Sequence, residues 1–256
     1  MYSKIKLGVD NFDDILGGGL YEGGSMALLG SPGTGKTTLG MQFIYNGIVK
    51  YNEAGLIITF EEFPQKLYRD ALSFGWDLRR LEEENKLRVV FTTPEIFIKD
   101  LKRGGLITKL VSEIKLRRVL IDTVSNFNQL SGDTVELRKL YNKVLHSLEK
   151  DNITTILTGE VEEVIGNTRM LNAGLSYVVD VVVLLRYVEV EGEMRRAVLV
   201  LKTRGSKHDE TIREYQITSK GFLIKDKFEK IEGILSGNTR KIISERMDKF
   251  YVHKGK

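Results

Sequence analysis

The chain of 256 residues contains no cysteine. That excludes a disulfide scaffold, a thiol nucleophile and any metal site built on thiolates. Histidine is almost as scarce, at three residues, which argues against a histidine-rich metal centre. Proline also occurs three times, and tryptophan once. Long apolar runs are missing. The longest, residues 178–185, carries Asp180 and falls far short of the roughly 20 residues that a membrane-spanning helix needs. The first six residues lack the apolar core of a leader peptide, so the expected location is cytoplasmic, with no membrane partner. A large charge excess is missing too. Lys and Arg total 39 and Asp and Glu 35, leaving +4. Although the isoelectric point is about 9.0, so small an excess does not by itself imply a nucleic-acid partner.

What is present is a globular composition, 41% apolar and 29% charged, which supports a packed core. Glycine is concentrated early, with twelve of 25 in residues 1–55. Short apolar runs at 25–30, 56–60, 87–92, 119–121 and 153–158 read as strands. Between them, apolar residues recur at helical spacing over 35–49, 64–74, 96–114 and 135–148. Such alternation predicts βαβ units, hence an α/β fold with a mostly parallel central sheet flanked by helices. Pro32, Pro64 and Pro94 each follow one of the first three strands, where proline fits a helix's first turn. That carboxyl edge is where open α/β sheets bind ligands. After residue 175 the pattern becomes β-rich. Residues 177–190 and 195–204 flank a Glu-Gly-Glu turn and read as a hairpin, and 211–218 adds a further strand. The expected organisation is one domain over 1–238, carrying this C-terminal β-hairpin extension, and a basic tail or helix over 239–256.

The strongest chemical signal is Gly30-Ser31-Pro32-Gly33-Thr34-Gly35-Lys36-Thr37-Thr38, a complete G-x-x-x-x-G-K-[ST] motif between a strand and a helix. The glycines let the backbone turn its N–H groups inward as an anion nest, and the helix aims its positive end at the same point. Lys36 reaches β- and γ-phosphates, and the Thr37 hydroxyl is a magnesium ligand. The implied ligand is a nucleoside triphosphate. Asp122, at the tip of the run 119–122, is the expected partner of that magnesium. Glu61 and Glu62 close the second strand, where a carboxylate can polarise an attacking water. Neighbouring strand residues point to opposite sides, so the two have different jobs, and the sequence leaves open which faces the water. Lys202 and Arg204, two apart in a strand-like run, share a face. Their spacing by itself favours a solvated strand face, and the functional reading is a pair of cationic fingers for a phosphate, in the same or another subunit. Trp76 reads as packing, and Asp13-Asp14 as a cap or turn.

Together these stretches resemble the KaiC-like branch of the RecA-type P-loop ATPases, in a single-domain, archaeal-looking form. The resemblance covers residues 8 to about 237. It is carried by 12–20 (FDDILGGGL), 30–38, 59–64 (TFEEFP), 74–77 (FGWD), 120–122, 187–197 (YVEVEGEMRRA), 201–209 (LKTRGSKHD) and 212–215 (IREY). It implies a RecA-like core that assembles into a ring, usually a hexamer, with ATP and magnesium at subunit interfaces. It further implies that Glu61 and Glu62 assist hydrolysis and that Lys202 and Arg204 reach into the neighbour's ATP. Ser206 and His208 match positions lining the same nucleotide. Family members with two such domains phosphorylate themselves on an adjacent Ser-Thr pair. Those positions here are Ser176 and Tyr177, so the threonine is replaced and that cycle does not carry over directly. Glu160, just past the fifth strand, is a candidate nucleotide sensor.

Three functions fit these features. The first is a slow, ring-forming ATPase acting as an assembly or regulatory switch, with a possible protein partner. The second is a recombinase-like accessory protein binding single-stranded DNA, suggested by the isoelectric point and the basic C-terminal segment but not favoured by the +4 charge. The third is a nucleotide-gated assembly module that seldom hydrolyses.

Overall fold

The computed structural model describes residues 3–102, 104–164, 167–170, 174–228, 231–232 and 240–241. The segment 239–256, expected as a basic tail, lies outside the described residues apart from 240–241. The chain opens with β1 (Lys4–Ile5), a helical turn α1 (Phe12–Ile15) and β2 (Leu20–Tyr21), which pairs with β1. It continues through β3 (Ser25–Gly30), α2 (Lys36–Tyr51), β4 (Ala54–Thr59), α3 (Pro64–Leu72), α4 (Leu78–Glu83) and β5 (Leu87–Phe91). Next come α5 (Pro94–Asp100), α6 (Leu106–Ile114), β6 (Leu116–Asp122), a 3-10 segment (Val124–Gln129) and α7 (Thr134–Lys150). The last part holds β7 (Thr154–Val164), β8 (Asn167–Met170), α8 (Leu175–Val178), β9 (Val181–Val190), β10 (Glu193–Thr203), β11 (Arg213–Thr218) and β12 (Gly221–Lys227), then the short pair β13 (Ile231–Glu232) and β14 (Arg240–Lys241).

The main sheet has the order β12-β11-β10-β9-β3-β7-β6-β4-β5, with β8 attached to β7. From β9 to β5 every neighbouring pair is parallel, whereas β10, β11 and β12 add antiparallel strands at one end. Alternate residues of the central strands enter two separate cores. Met26, Leu28, Ile57, Leu120 and Ile156 pack with Leu39, Phe43 and Ile44 of α2 on one face. Ala27, Leu29, Leu56, Ile58 and Ile121 pack with Tyr141 and Val144 of α7 on the other. A strand covered on both faces gains from apolar residues at every position, which is why these strands read as continuous apolar runs.

Some expected boundaries move. Residues 96–114 form two helices, because the chain turns at Gly104-Gly105, where a Cβ on Gly105 would collide with the Asp100 carbonyl. Tyr177 sits in α8, and strand β9 begins at Val181, level with Met26. The strand that precedes the glutamate pair ends at Thr59, so Glu61 and Glu62 lie in the bend beyond it and not on the strand itself. Alternation along a pleat therefore does not set their directions. The antiparallel extension is larger than a hairpin, because β12 folds back on β11. Trp76 packs as expected, buried and stacked between Phe74 and Tyr45. Asp13 serves a turn, accepting from the Leu7 and Gly8 N–H groups.

Candidate nucleotide site

The site grows from the junction of β3 and α2. Gly30 lies so close to β9 that a Cβ would stand 2.5 Å from the Leu185 carbonyl. Gly33 and Gly35 have φ of +79° and +91°, the left-handed region that glycine enters at little cost. Helix α2 then starts with no side-chain cap and no acidic residue in its first turn. The other long helix, α7, is capped by Asp133, whose carboxylate accepts from the N–H groups of Val135 and Glu136. The open N–H groups of α2 are thus a ready anion site. The Ser31 hydroxyl beside them is buried and has no hydrogen-bond partner.

Lys36 folds back over the loop, its Nζ donating to the Gly30 and Ser31 carbonyls at 2.8 and 3.0 Å. Burial lowers its pKa, and the charges of Glu160, Asp122 and Glu61 act in the opposite direction. The Thr37 hydroxyl donates to Asp122 Oδ2 at 2.9 Å. Asp122 is the last residue of β6 and is buried. Its other oxygen accepts from the Thr158 hydroxyl on β7, the strand between β6 and β3. Burial raises the Asp122 pKa against the bonds from Thr158 and Thr37, and the charge of Glu62 raises it further. Around these groups stand Glu160, paired in register with Gly30, and the glutamate bend. The Thr59 hydroxyl pins that bend by bonding the Glu62 backbone, and the Glu62 carboxylate takes a salt bridge from Lys66.

This chemistry fits a magnesium nucleotide. Thr37 and Asp122 offer the hard oxygen donors that magnesium takes alongside phosphate. Among the described residues no cluster of three or more His, Asp or Glu side chains could hold a metal alone.

Lys202 and Arg204 lie elsewhere. Thr203 is level with Val181, which is level with Met26 at the start of β3. The Arg204 N–H bonds the Asp180 carbonyl, and the Asp180 N–H bonds that of Ser25. The two cations therefore sit at the amino edge of the sheet, and the phosphate loop leaves the carboxyl edge. Four to five strand residues separate them, about 15 Å. Lys202 Nζ donates to the Ser176 and Val179 carbonyls at 2.9 and 2.6 Å, and Arg204 donates to that of Tyr177. Burial and Arg204 lower the Lys202 pKa, against the pull of Asp180. A cleft of about 500 Å³ opens at this edge, lined by Arg204, Arg138, His146, Tyr177 and Asp180 among others, and by no residue of the phosphate loop. Ser206 and His208 follow in the same loop, half-buried, and the Ser206 hydroxyl is enclosed without a partner. Asp209 ties the loop down. Its carboxylate accepts from the Thr211 N–H and hydroxyl and from Arg213, while its own N–H bonds the Ile15 carbonyl.

Sequence reasoning had no role for Thr158, Tyr187, Tyr215 or Asp209. Thr158 carried one usable signal, a hydroxyl at the end of the strand beside Asp122. Tyr187 donates to the Gly33 carbonyl at 2.7 Å and Tyr215 to the Thr34 carbonyl at 2.6 Å. Tyr187 comes from the far part of β9, past its pairing with β3, and Tyr215 from β11, so only the tertiary fold brings them to the loop.

A phosphate loop after the central strand, a buried aspartate at the tip of a second strand and one strand between them define a RecA-like P-loop ATPase core. A family model described as "ATPase: KaiC" matches residues 5–229, and the chain belongs to that family. It is 34% identical over 254 residues to the circadian clock oscillator protein KaiC of Thermostichus vulcanus, covering 98% of this chain and 48% of that protein. With KaiC of Synechococcus elongatus the identity is 37% over 231 residues, covering 87% and 44%. The circadian clock protein KaiC3 of a Synechocystis species is 33% identical over 235 residues, covering 91% and 46%. The chain therefore spans about half the length of these relatives. Among the described residues no helix is long and apolar enough to cross a membrane.

Proposed function

We propose that this chain binds ATP and hydrolyses it slowly, in a ring of copies, expected to be hexameric, whose nucleotides lie at subunit interfaces, and that it works as an assembly or regulatory switch. The observation that carries the reading is the separation of the two functional groups on opposite edges of one sheet. Lys36, Thr37, Asp122 and the glutamate bend lie at the carboxyl edge, whereas Lys202 and Arg204 lie about 15 Å away, by strand rise, at the amino edge. Cations so placed are out of reach of their own phosphate loop. A neighbouring copy in a head-to-tail ring can present them to it.

The residue roles follow from the chemistry. The loop N–H groups and the start of α2 hold the phosphates, and Lys36 leaves its two loop carbonyls to bond them. Thr37 and Asp122 would hold magnesium, which when bound neutralises charge on the phosphate oxygens. Glu61, near enough to Lys36 to act on its charge, is the better placed of the pair to polarise the attacking water, because Glu62 shares its carboxylate with Lys66. Ser206 and His208 line the nucleotide from the neighbouring side with Lys202 and Arg204. A trans cation contributes about 10³–10⁵ in rate to phosphoryl transfer, so assembly would control turnover.

The test is solution mass and ATP turnover measured on the same sample, with MgATP, with MgADP and without nucleotide. A ring-sized particle with turnover that Lys202→Ala and Arg204→Ala each abolish is expected. A protein that stays monomeric with MgATP, or variants that hydrolyse at the parental rate, would sink the trans arrangement. Lys36→Ala separates nucleotide binding from assembly, because it removes the phosphate contact and leaves the amino edge intact.

A further inference from the structure

A loop that turns its N–H groups toward an anion must turn carbonyls the other way. Those carbonyls need donors of their own where water is excluded. Here the buried Thr34 carbonyl is met by the Tyr215 phenol of β11, and the neighbouring Gly33 carbonyl, at the exposed rim of the loop, is met by the Tyr187 phenol of β9. Tyr187 lies on β9 just beyond its parallel pairing with β3, where it is paired with antiparallel β10, and Tyr215 lies on β11. Both phenols therefore come from the antiparallel end of the sheet and not from the phosphate loop's own elements.

The two tyrosines form one row with Arg196 of β10, which lies between them in the sheet. Arg196 is paired in register with Tyr187, and the pairing of Ala197 with Glu214 puts Arg196 level with Tyr215. The Arg196 guanidinium lies over the Tyr187 ring at 5.3 Å, with one nitrogen 3.5 Å from the hydroxyl. Tyr215 is fixed: it is buried and stacked on Phe222 at 4.2 Å. Two residues on, Ile217 occupies the space that a Cβ on Gly35 would need. Tyr187 is only half-buried, and its hydroxyl would stand 3.0 Å from a Cβ on Gly33. One phenol anchors the loop at Thr34, and the other is held by a stacked cation beside Gly33.

We propose that Tyr187, oriented by Arg196, is a positioning residue for the phosphate loop, through which the antiparallel extension sets the affinity for the nucleotide phosphates. This rests on the nucleotide reading above. Without the hydroxyl, the exposed Gly33 carbonyl exchanges a fixed donor for water and the peptide planes on either side of it are free to turn, so the nest is less pre-organised for an anion. The chemistry at the γ-phosphate does not pass through this residue, and the loss therefore falls on Kd and KM and not on kcat.

The test is calorimetric titration of the full chain with MgADP, with turnover measured on saturating MgATP. The single tryptophan supplies an internal control. Trp76 is buried beside Gly221 at the start of β12, where a Cβ would lie 2.5 Å from its ring, so its emission reports whether the extension stays docked. Tyr187→Phe is expected to weaken MgADP by about five-fold, the worth of one hydrogen bond, with unchanged Trp76 emission and a raised KM. Tyr68→Phe, which deletes a phenol bonded to Glu82 on the far side of α3 and α4, binds as the parent does. Parental affinity in Tyr187→Phe, or a loss of affinity matched by a shift in Trp76 emission, overturns the proposal. A parent chain that does not bind MgADP overturns the nucleotide reading along with it, whereas a binding parent and an unaffected Tyr187→Phe remove this proposal alone.

Discussion

Arg118 makes no approach to the nucleotide site, yet its side chain is fully buried. Its guanidinium bonds Glu53, the Phe43 carbonyl of α2 and the Lys6 carbonyl, and lies over the Phe43 ring at 4.7 Å. It thereby joins β6, α2 and the N-terminal segment, and Gly47 is small because a Cβ there would meet the Arg118 side chain. Burial works against the charge, and Glu53 supports it. Arg118→Met keeps much of the volume but leaves a carboxylate and two carbonyls without their donor. A loss of about 2–4 kcal/mol is expected, read from the urea midpoint at constant m-value. A second case lies inside the site. Thr158 holds one oxygen of buried Asp122, so Thr158→Val should cost about 1–3 kcal/mol, and Thr158→Ser should restore most of it. Equal stability of the Val and Ser variants would show that the hydroxyl is not needed. These two residues also mark where reading the sequence stops. Asp122 was legible because an acid at the tip of an apolar strand stands out. Thr158 and Arg118 were less so, because a threonine at the end of an apolar run and an arginine inside a strand look ordinary until the register brings their partners alongside.

At the scale of elements, the parallel half was legible because each strand carries a run of apolar residues and, between the strands, apolar residues recur at helical spacing. The parts that escaped depend on packing and on local breaks that an apolar pattern does not display. α4 is one and a half turns long and holds its place by Leu78 and Leu81 in the core. β12 is aligned by β11, and the break between α5 and α6 is made by two glycines inside a good helical pattern. The glutamate pair is shaped locally, by the Thr59 hydroxyl three residues before Glu62 and not by strand pairing. The loop after β10 shows how a short element can carry its own test. Asp209 closes that loop, and although burial opposes its charge, the Thr211 and Arg213 bonds outweigh this and take its pKa to about 2. A carboxyl with a depressed folded pKa stabilises above its unfolded value, 3.8, and loses that contribution as the pH falls toward about 2. Asp209→Asn should therefore be less stable than the parent at pH 5, and the gap should narrow as both are titrated down to pH 2. A gap that is constant across this range would mean that the charge contributes nothing to loop order.

For the whole molecule, the decisive fact is that one continuous sheet carries the Lys36 loop and its acidic neighbours on one edge and the Lys-x-Arg pair on the other. Among the described residues nothing inside a single chain brings them together, so on the ring reading each copy holds half of two sites. This makes complementation possible. Lys36→Ala damages a subunit's own phosphate loop but leaves its Lys202 and Arg204 intact. Lys202→Ala does the reverse. Each variant alone has no interface with both halves present, and each should be inactive. Mixed and allowed to exchange, some interfaces pair the intact loop of a Lys202→Ala copy with the intact cations of a Lys36→Ala copy, and ATP turnover should return. In a head-to-tail ring only one of the two interfaces that a copy makes is rescued, so the recovered rate stays well below the parental rate and peaks near equal proportions. A double variant, Lys36→Ala with Lys202→Ala, should act as a poison in the same mixture, lowering turnover in proportion to its share. Were the cations to serve their own subunit's nucleotide, no mixture of the single variants could recover activity, because every chain would carry one broken half of its only site.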